Sequence, residues 1–115
     1  MTVAEANWPR RYAKPIALPE RLDLLIGPTT GIVHLPRHLK WSGNPTYDLD
    51  SPGRIIDLYH TVINEAMSPD DLHAHLNEIT LKSLWSYMWL PVAVRRIWEE
   101  RFPELAELRR LASAA

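Results

Sequence analysis

The residues with the most chemical capacity are five histidines, His34, His38, His60, His73 and His75. A helical metal pair needs ligands three or four residues apart on one face. His73 and His75 are two apart and diverge on a helix. His34 and His38 have the right interval but span Pro36, which bars an ordinary helix. The chain has no cysteine, so thiolate ligands, thiol nucleophiles and disulfides are excluded. Asp48 and Asp50 are alternate residues of an extended run and share a face. That suits a carboxylate pair, although turn and capping roles explain both. Ser42 lacks the surroundings of a nucleophile elbow. Gly27-Pro28-Thr29-Thr30-Gly31 has two glycines but not the lysine of a phosphate loop, and no strand-then-helix context. Neither a metal nor a cofactor is expected, and the chain does not read as an enzyme.

Binding is the better-supplied capacity. Five tryptophans stand against one phenylalanine. Tryptophan fills a small core well and is also enriched among interface anchors. Trp8-Pro9-Arg10-Arg11-Tyr12-Ala13-Lys14-Pro15 interleaves aromatic and basic residues between prolines. It reads as an extended arm that can lie in a partner's groove, touch nucleic acid or fold back on its own domain. The net charge is −1, so no global field draws the chain to DNA or acidic membranes. The charge is uneven, however. Between 48 and 78 Arg54 stands alone against seven acids, a run that is either a solvated face or a docking face for a basic partner.

Several elements must position these residues. Leu18-Pro19-Glu20-Arg21-Leu22-Asp23-Leu24-Leu25 suits a short helical turn. Gly31-Ile32-Val33-His34-Leu35 reads as a strand. His38-Leu39-Lys40-Trp41 continues extended, Ser42-Gly43-Asn44-Pro45 turns, and Thr46-Tyr47-Asp48-Leu49 returns, which predicts a hairpin across 38–49. Ser51 then caps and Pro52 opens a helix over 53–66, with Ile55, Leu58, Tyr59, Val62, Ile63 and Ala66 on one stripe. Ser68-Pro69-Asp70-Asp71 repeats that device for a helix over 69–76. Asn77 ends this helix or caps the next, over 79–88, on whose apolar face Leu81, Leu84, Trp85, Met88 and Trp89 fall. Pro91 opens a helix through Arg101, and Pro103 a last one carrying Leu105, Leu108 and Leu111.

The expected fold is therefore mainly α. It is a small bundle of four to five short helices, with an extended proline-rich arm over 1–30 and one β-hairpin within 32–49. Residues 31–115 form a single globular domain. No run reaches the roughly 18–20 apolar residues of a membrane span, and the N-terminus lacks a secretory core. A soluble, cytoplasmic protein is the expectation. Helices 69–76 and 79–88 have the outline of a helix-turn-helix, but the second offers only Lys82 as a base, where a recognition helix should be basic on its exposed side.

His38-Leu39-Lys40-Trp41-Ser42-Gly43, then Tyr47-Asp48-Leu49-Asp50 and Pro52, resemble a family of small uncharacterised actinobacterial proteins. Leu90-Pro91, Arg95-Arg96, Trp98-Glu99 and Arg101-Phe102-Pro103 resemble that family's ending, and the likeness covers about residues 28–105. Such proteins are encoded beside AbiEii-type nucleotidyltransferase toxins. The resemblance implies an antitoxin-like role by gene neighbourhood, with no chemistry assigned to any residue. This chain shows no basic recognition helix of the kind carried by the winged-helix part of AbiEi antitoxins. The expected function is to bind and neutralise a protein partner, a nucleotidyltransferase toxin, by blocking its nucleotide or RNA site. The candidate contacts are Trp8, Arg10, Arg11, Tyr12, Trp41 and Tyr47, with Asp48 and Asp50 as polar partners. The alternative is a DNA-binding transcriptional regulator.

Overall fold

The computed structural model describes residues 15–114. A 3-10 turn, Leu22–Leu24, comes first. Then follow β1 (Ile32–His34), β2 (Thr46–Asp48), α1 (Arg54–Glu65), α2 (Pro69–His75), α3 (Glu78–Leu84), α4 (Val92–Arg101) and α5 (Pro103–Ala114). The architecture is mainly α with one antiparallel hairpin, as the sequence predicts. Candidate contacts Trp8, Arg10, Arg11 and Tyr12 lie outside the described residues.

Residues 19–27 belong to the body rather than to an arm. Pro19 is fully buried, and Leu22 and Leu25 enter the core. The backbone is then stitched to the junction of α2 and α3. Ile26 donates to the carbonyl of His73 at 3.1 Å, Gly27 donates to Leu76 at 2.7 Å, and Glu78 donates to Leu25 at 3.2 Å. A Cβ on Gly27 would stand 2.4 Å from the carbonyl carbon of His75, so the two backbones approach this closely only because residue 27 is glycine.

The hairpin differs from the expected one. β1 pairs with β2 in the register Ile32↔Asp48, Val33↔Tyr47, His34↔Thr46. The strand partner of 46–48 is thus 32–34, and 38–41 is not a strand. Pro36 instead starts a tight turn, in which Leu39 and Lys40 both donate to its carbonyl at 3.0 and 3.1 Å. This turn drives Leu39 into the core beside Leu35. Proline has no N–H to give a ladder, so the chain leaves the sheet where Pro36 occurs.

Ser51 does not cap α1. Its hydroxyl donates to Asp48 Oδ2 at 3.2 Å, while Asp48 Oδ1 accepts from the Asp50 amide at 3.0 Å. Gly53 takes a left-handed conformation, φ 80°, and the helix begins at Arg54. The upstream aspartate competes for the serine, and the glycine supplies the turn an L-residue would resist.

From there the three-four spacing of α1 is realised: Leu58, Tyr59, Val62 and Ile63 are buried. Each such side chain contributes about 1.5–3 kcal/mol by leaving water. Tyr59 also accepts the Asn77 amide on its hydroxyl at 2.8 Å, linking α1 to the start of α3. Ser68 does cap α2, accepting from the Asp71 amide at 3.4 Å, and Asn77 caps α3, accepting from Thr80 at 3.1 Å.

α3 stops at Leu84, short of the predicted 88. Trp85 and Met88 are buried, as the spacing implied, but Trp89 is not. The Arg95 guanidinium lies 4.9 Å over the Trp85 ring and donates to the carbonyls of Trp85 and Met88, holding this corner against α4. Trp98 packs in tilted contacts, its ring centroid 5.8 Å from that of Trp85 and 6.1 Å from that of Phe102. α5 returns along α4 with Leu105 inside, Leu108 half-buried and Leu111 exposed.

Candidate functional site

The feature that stands out is an open groove of about 1040 Å³ with two tryptophans at its rim. Trp41 is 79% exposed and Trp89 is 87% exposed. Leu39, Ile63, Ala66 and Val94 form the apolar floor, and Pro15 and Ile16 bring the chain into it from the N-terminal side. Val92 extends the apolar rim, while Lys40, Glu65 and Asn64 supply polar points.

Local chain chemistry puts both tryptophans outside. Met88 and Leu90 are buried on either side of Trp89. The residue before Pro91 is held extended, and an extended chain alternates its side chains. Met88 and Leu90 therefore point in and Trp89 points out. Trp41 follows the Pro36 turn, which has already committed Leu39 to the core. Two large apolar rings are thus held at the surface beside an apolar floor.

The other predicted contacts fall differently. Tyr47 is not an exposed anchor. It is 3% exposed because its strand position faces inward opposite Val33, and its hydroxyl shares a hydrogen bond of 3.3 Å with Thr61. Asp48 serves the turn described above. Asp50 Oδ2 accepts from the Gly31 amide at 3.3 Å and closes the open end of the hairpin. Among the described residues, Trp41 is thus the one predicted contact that the fold sets on the groove, and the structure adds Trp89. The signal for Trp89 lay in Leu90-Pro91, which ends a helical reading one turn earlier than the apolar spacing suggests.

A smaller polar cleft of about 380 Å³ adjoins the groove and shares Lys40, His60 and Thr61 with it. Its Arg54 is already committed. The guanidinium donates to Asp57 at 2.9 Å and lies 4.5 Å over the Tyr47 ring.

Four of the five histidine side chains stitch local structure. His38 Nε2 meets Asp71 Oδ1 at 2.8 Å, His34 Nδ1 meets the Thr46 hydroxyl at 3.0 Å, and His75 Nδ1 meets the Asp71 carbonyl at 2.9 Å. His73 Nε2 accepts from the Glu20 amide at 3.2 Å. Among the described residues, no three of His, Cys, Asp or Glu gather as a metal site would need, and no helix is long and apolar enough to cross a membrane.

Among the described residues three carboxyls are lowered: Asp71, Glu99 and the surface Glu107, which the Arg110 guanidinium holds down. Burial pushes Asp71 up, but the Met67 amide and the His38 ring together outweigh it and lower it below the usual range. Glu99 is lowered by the Arg109 guanidinium, against burial, with help from the Trp85 indole N–H. Arg109 binds it in a fork at 2.7 and 2.8 Å. Asp71 and Glu99 lie away from the groove's lining and tie elements together. No protein-family model, no curated protein and no solved structure matches this chain.

Proposed function

We propose that the chain is a non-enzymatic binding protein that neutralises a protein partner by seating part of it on the Trp41–Trp89 groove. The observation that carries this reading is the pair of nearly fully exposed indoles across one apolar floor. Aromatic anchors ringed by polar residues are the usual composition of an interface centre. The partner's identity rests on the resemblance of residues 38–52 and 90–103 to antitoxin-like proteins, which makes it a nucleotidyltransferase toxin whose nucleotide or RNA site is blocked. The arm residues Trp8, Arg10, Arg11 and Tyr12 are assigned to the same partner. The rival reading, a DNA-binding regulator using the basic arm and residues 79–101, draws less support. The one base of α3, Lys82, is paired with Glu78 at 2.9 Å, and α2 opens with Asp70 and Asp71.

Co-expression with an AbiEii-type nucleotidyltransferase tests it. The two chains are expected to co-purify. Trp41→Ala and Trp89→Ala should each weaken binding about 30-fold or more, the effect of a hot-spot truncation. Because both side chains are exposed, folding stability should change by less than about 0.5 kcal/mol. Recovery of the chain alone, or unaltered binding by the double variant, would count decisively against the proposal. A salt-dependent shift of promoter DNA would favour the regulator instead.

A further inference from the structure

We propose that the smaller polar cleft binds a phosphate monoester of a small polyol, such as a sugar phosphate. The proposal does not depend on the partner role assigned to the groove.

The cleft lies between α1 and the loop that joins β1 to β2. Arg54, Asp57 and Thr61 are three and four residues apart, so α1 presents them on one face, with His60 beside them. Lys40 and Asn44 line the other side, from the loop. The loop orients both. The stem of Lys40 lies along Gly43, where a Cβ would stand 3.6 Å from its Cε and 3.9 Å from its Nζ. Asn44 Oδ1 accepts from the Thr46 amide at 3.0 Å, which leaves the side-chain NH2 group to donate elsewhere.

Charge identifies the reactive end of the ligand. Arg54 and Asp57 are paired at 2.9 Å and cancel. Among the described residues, the Lys40 ammonium and the His60 ring have no hydrogen-bond or ion-pair partner. Lys40 is nevertheless half-buried, and an ammonium that loses water without gaining a counter-charge is destabilised. An oxyanion in the cleft supplies that charge. A phosphate monoester carries about −1.5 to −2 charge and three acceptor oxygens. These serve the Lys40 ammonium, an N–H that the imidazole of His60 keeps in either charge state, and the Asn44 amide.

Volume and polarity define the rest of the ligand. The cleft's volume of about 380 Å³ is near the lower end of the roughly 300–1000 Å³ of small-ligand pockets. Every described lining residue carries a polar group. The one aromatic among them, Tyr47, is buried and has Arg54 over its ring at 4.5 Å. The cleft thus offers no apolar face to a base or an acyl chain. It does offer partners to hydroxyl groups: the Thr61 hydroxyl, which meets that of Tyr47 at 3.3 Å, and Asp57 Oδ1, since Oδ2 is the oxygen that holds Arg54.

The test is a ¹⁵N NMR titration of the full chain, without any partner, at constant ionic strength. The probes are ribose 5-phosphate, inorganic phosphate and ribose. Ribose 5-phosphate is expected to shift the amides of residues 43–46 and 57–61 saturably, with a dissociation constant of about 1 mM or tighter. It should bind at least about threefold more tightly than inorganic phosphate, and ribose should shift nothing. Lys40→Gln should weaken binding about tenfold or more, as the loss of a hydrogen bond to a charged group does. Arg96→Gln removes the same charge from the exposed surface of α4 and should leave binding unchanged. Spectra that superimpose away from each substitution show that both variants are folded. No saturation below about 10 mM overturns the proposal. Equal weakening by the two variants overturns it too, because the anion then responds to net charge and not to the cleft. So does equal affinity for ribose 5-phosphate and inorganic phosphate, because the cleft then takes a bare oxyanion. With no partner in the sample, this result and the co-purification result stand or fall separately.

Discussion

Trp85 and Trp98 are both fully buried and pack against each other, yet their indole nitrogens differ in fate. Trp85 Nε1 donates to Glu99 Oε2 at 2.9 Å, whereas Trp98 Nε1 is buried without a hydrogen-bond partner. A bond to a charged acceptor is worth about 1.5–3 kcal/mol, while a buried donor left unpaired costs about 1–3 kcal/mol. Replacing either ring by phenylalanine leaves a comparable gap. Trp85→Phe should therefore be the more damaging by at least about 2.5 kcal/mol, read as the difference in urea-unfolding free energy. Equal losses would mean that the unpaired Trp98 nitrogen finds a partner that the fold does not display. At this scale the sequence was a poor guide. The apolar spacing marks both tryptophans as inward, but only the packing of α4, which brings Glu99 to Trp85, decides which nitrogen is satisfied.

Two serine-proline pairs show the same limit at the scale of elements. Ser51-Pro52 and Ser68-Pro69 spell the same start signal, and only Ser68 caps. The difference lies in the neighbours: Asp48 takes the hydroxyl of Ser51, and Gly53 places a left-handed turn before α1. Ser68→Ala should cost about 1 kcal/mol, the usual loss of an N-cap. Ser51→Ala should cost under about 0.5 kcal/mol, as an exposed turn substitution does. Urea midpoints at unchanged slope measure both, and an equal cost would restore Ser51 as a cap. α1 itself was legible, because Leu58, Tyr59, Val62 and Ile63 follow a period that only a helix satisfies. The hairpin was legible in kind but not in register. Either 32–34 or 38–41 can alternate against 46–48, and Pro36 decides by withholding a donor.

For the whole molecule, the perturbed carboxyls predict where stability ends on the acid side. Asp71 joins α2 to the loop after β1 through His38, and Glu99 joins α4 to α5 through Arg109. Both are lowered in the fold, so below their ordinary values the unfolded chain binds more protons than the folded one. Their stabilisation is fully present above those values and is lost as pH falls through them to the lowered ones. Thermal midpoints should hold near neutrality and decline below about pH 4.5, the ordinary range of a glutamate. Glu99→Gln should flatten that decline. An unchanged slope in the variant would show that Glu99 does not contribute to it.

The groove belongs to the same scale, and it was the least legible feature. It is assembled from residues around 15–16, 39–42, 60–66 and 89–94, which no local pattern connects. Composition and spacing alone determined a cysteine-free chain, a mainly helical body broken at its prolines, and the inward stripe of α1. They determined as well that aromatic residues were available for contact. Tertiary structure decided which aromatics stay exposed: Tyr47 goes inside, and Trp41, Tyr87 and Trp89 stay out. The reason is physical. Periodicity shows which side of an element is apolar, but burial depends on whether another element arrives to cover it.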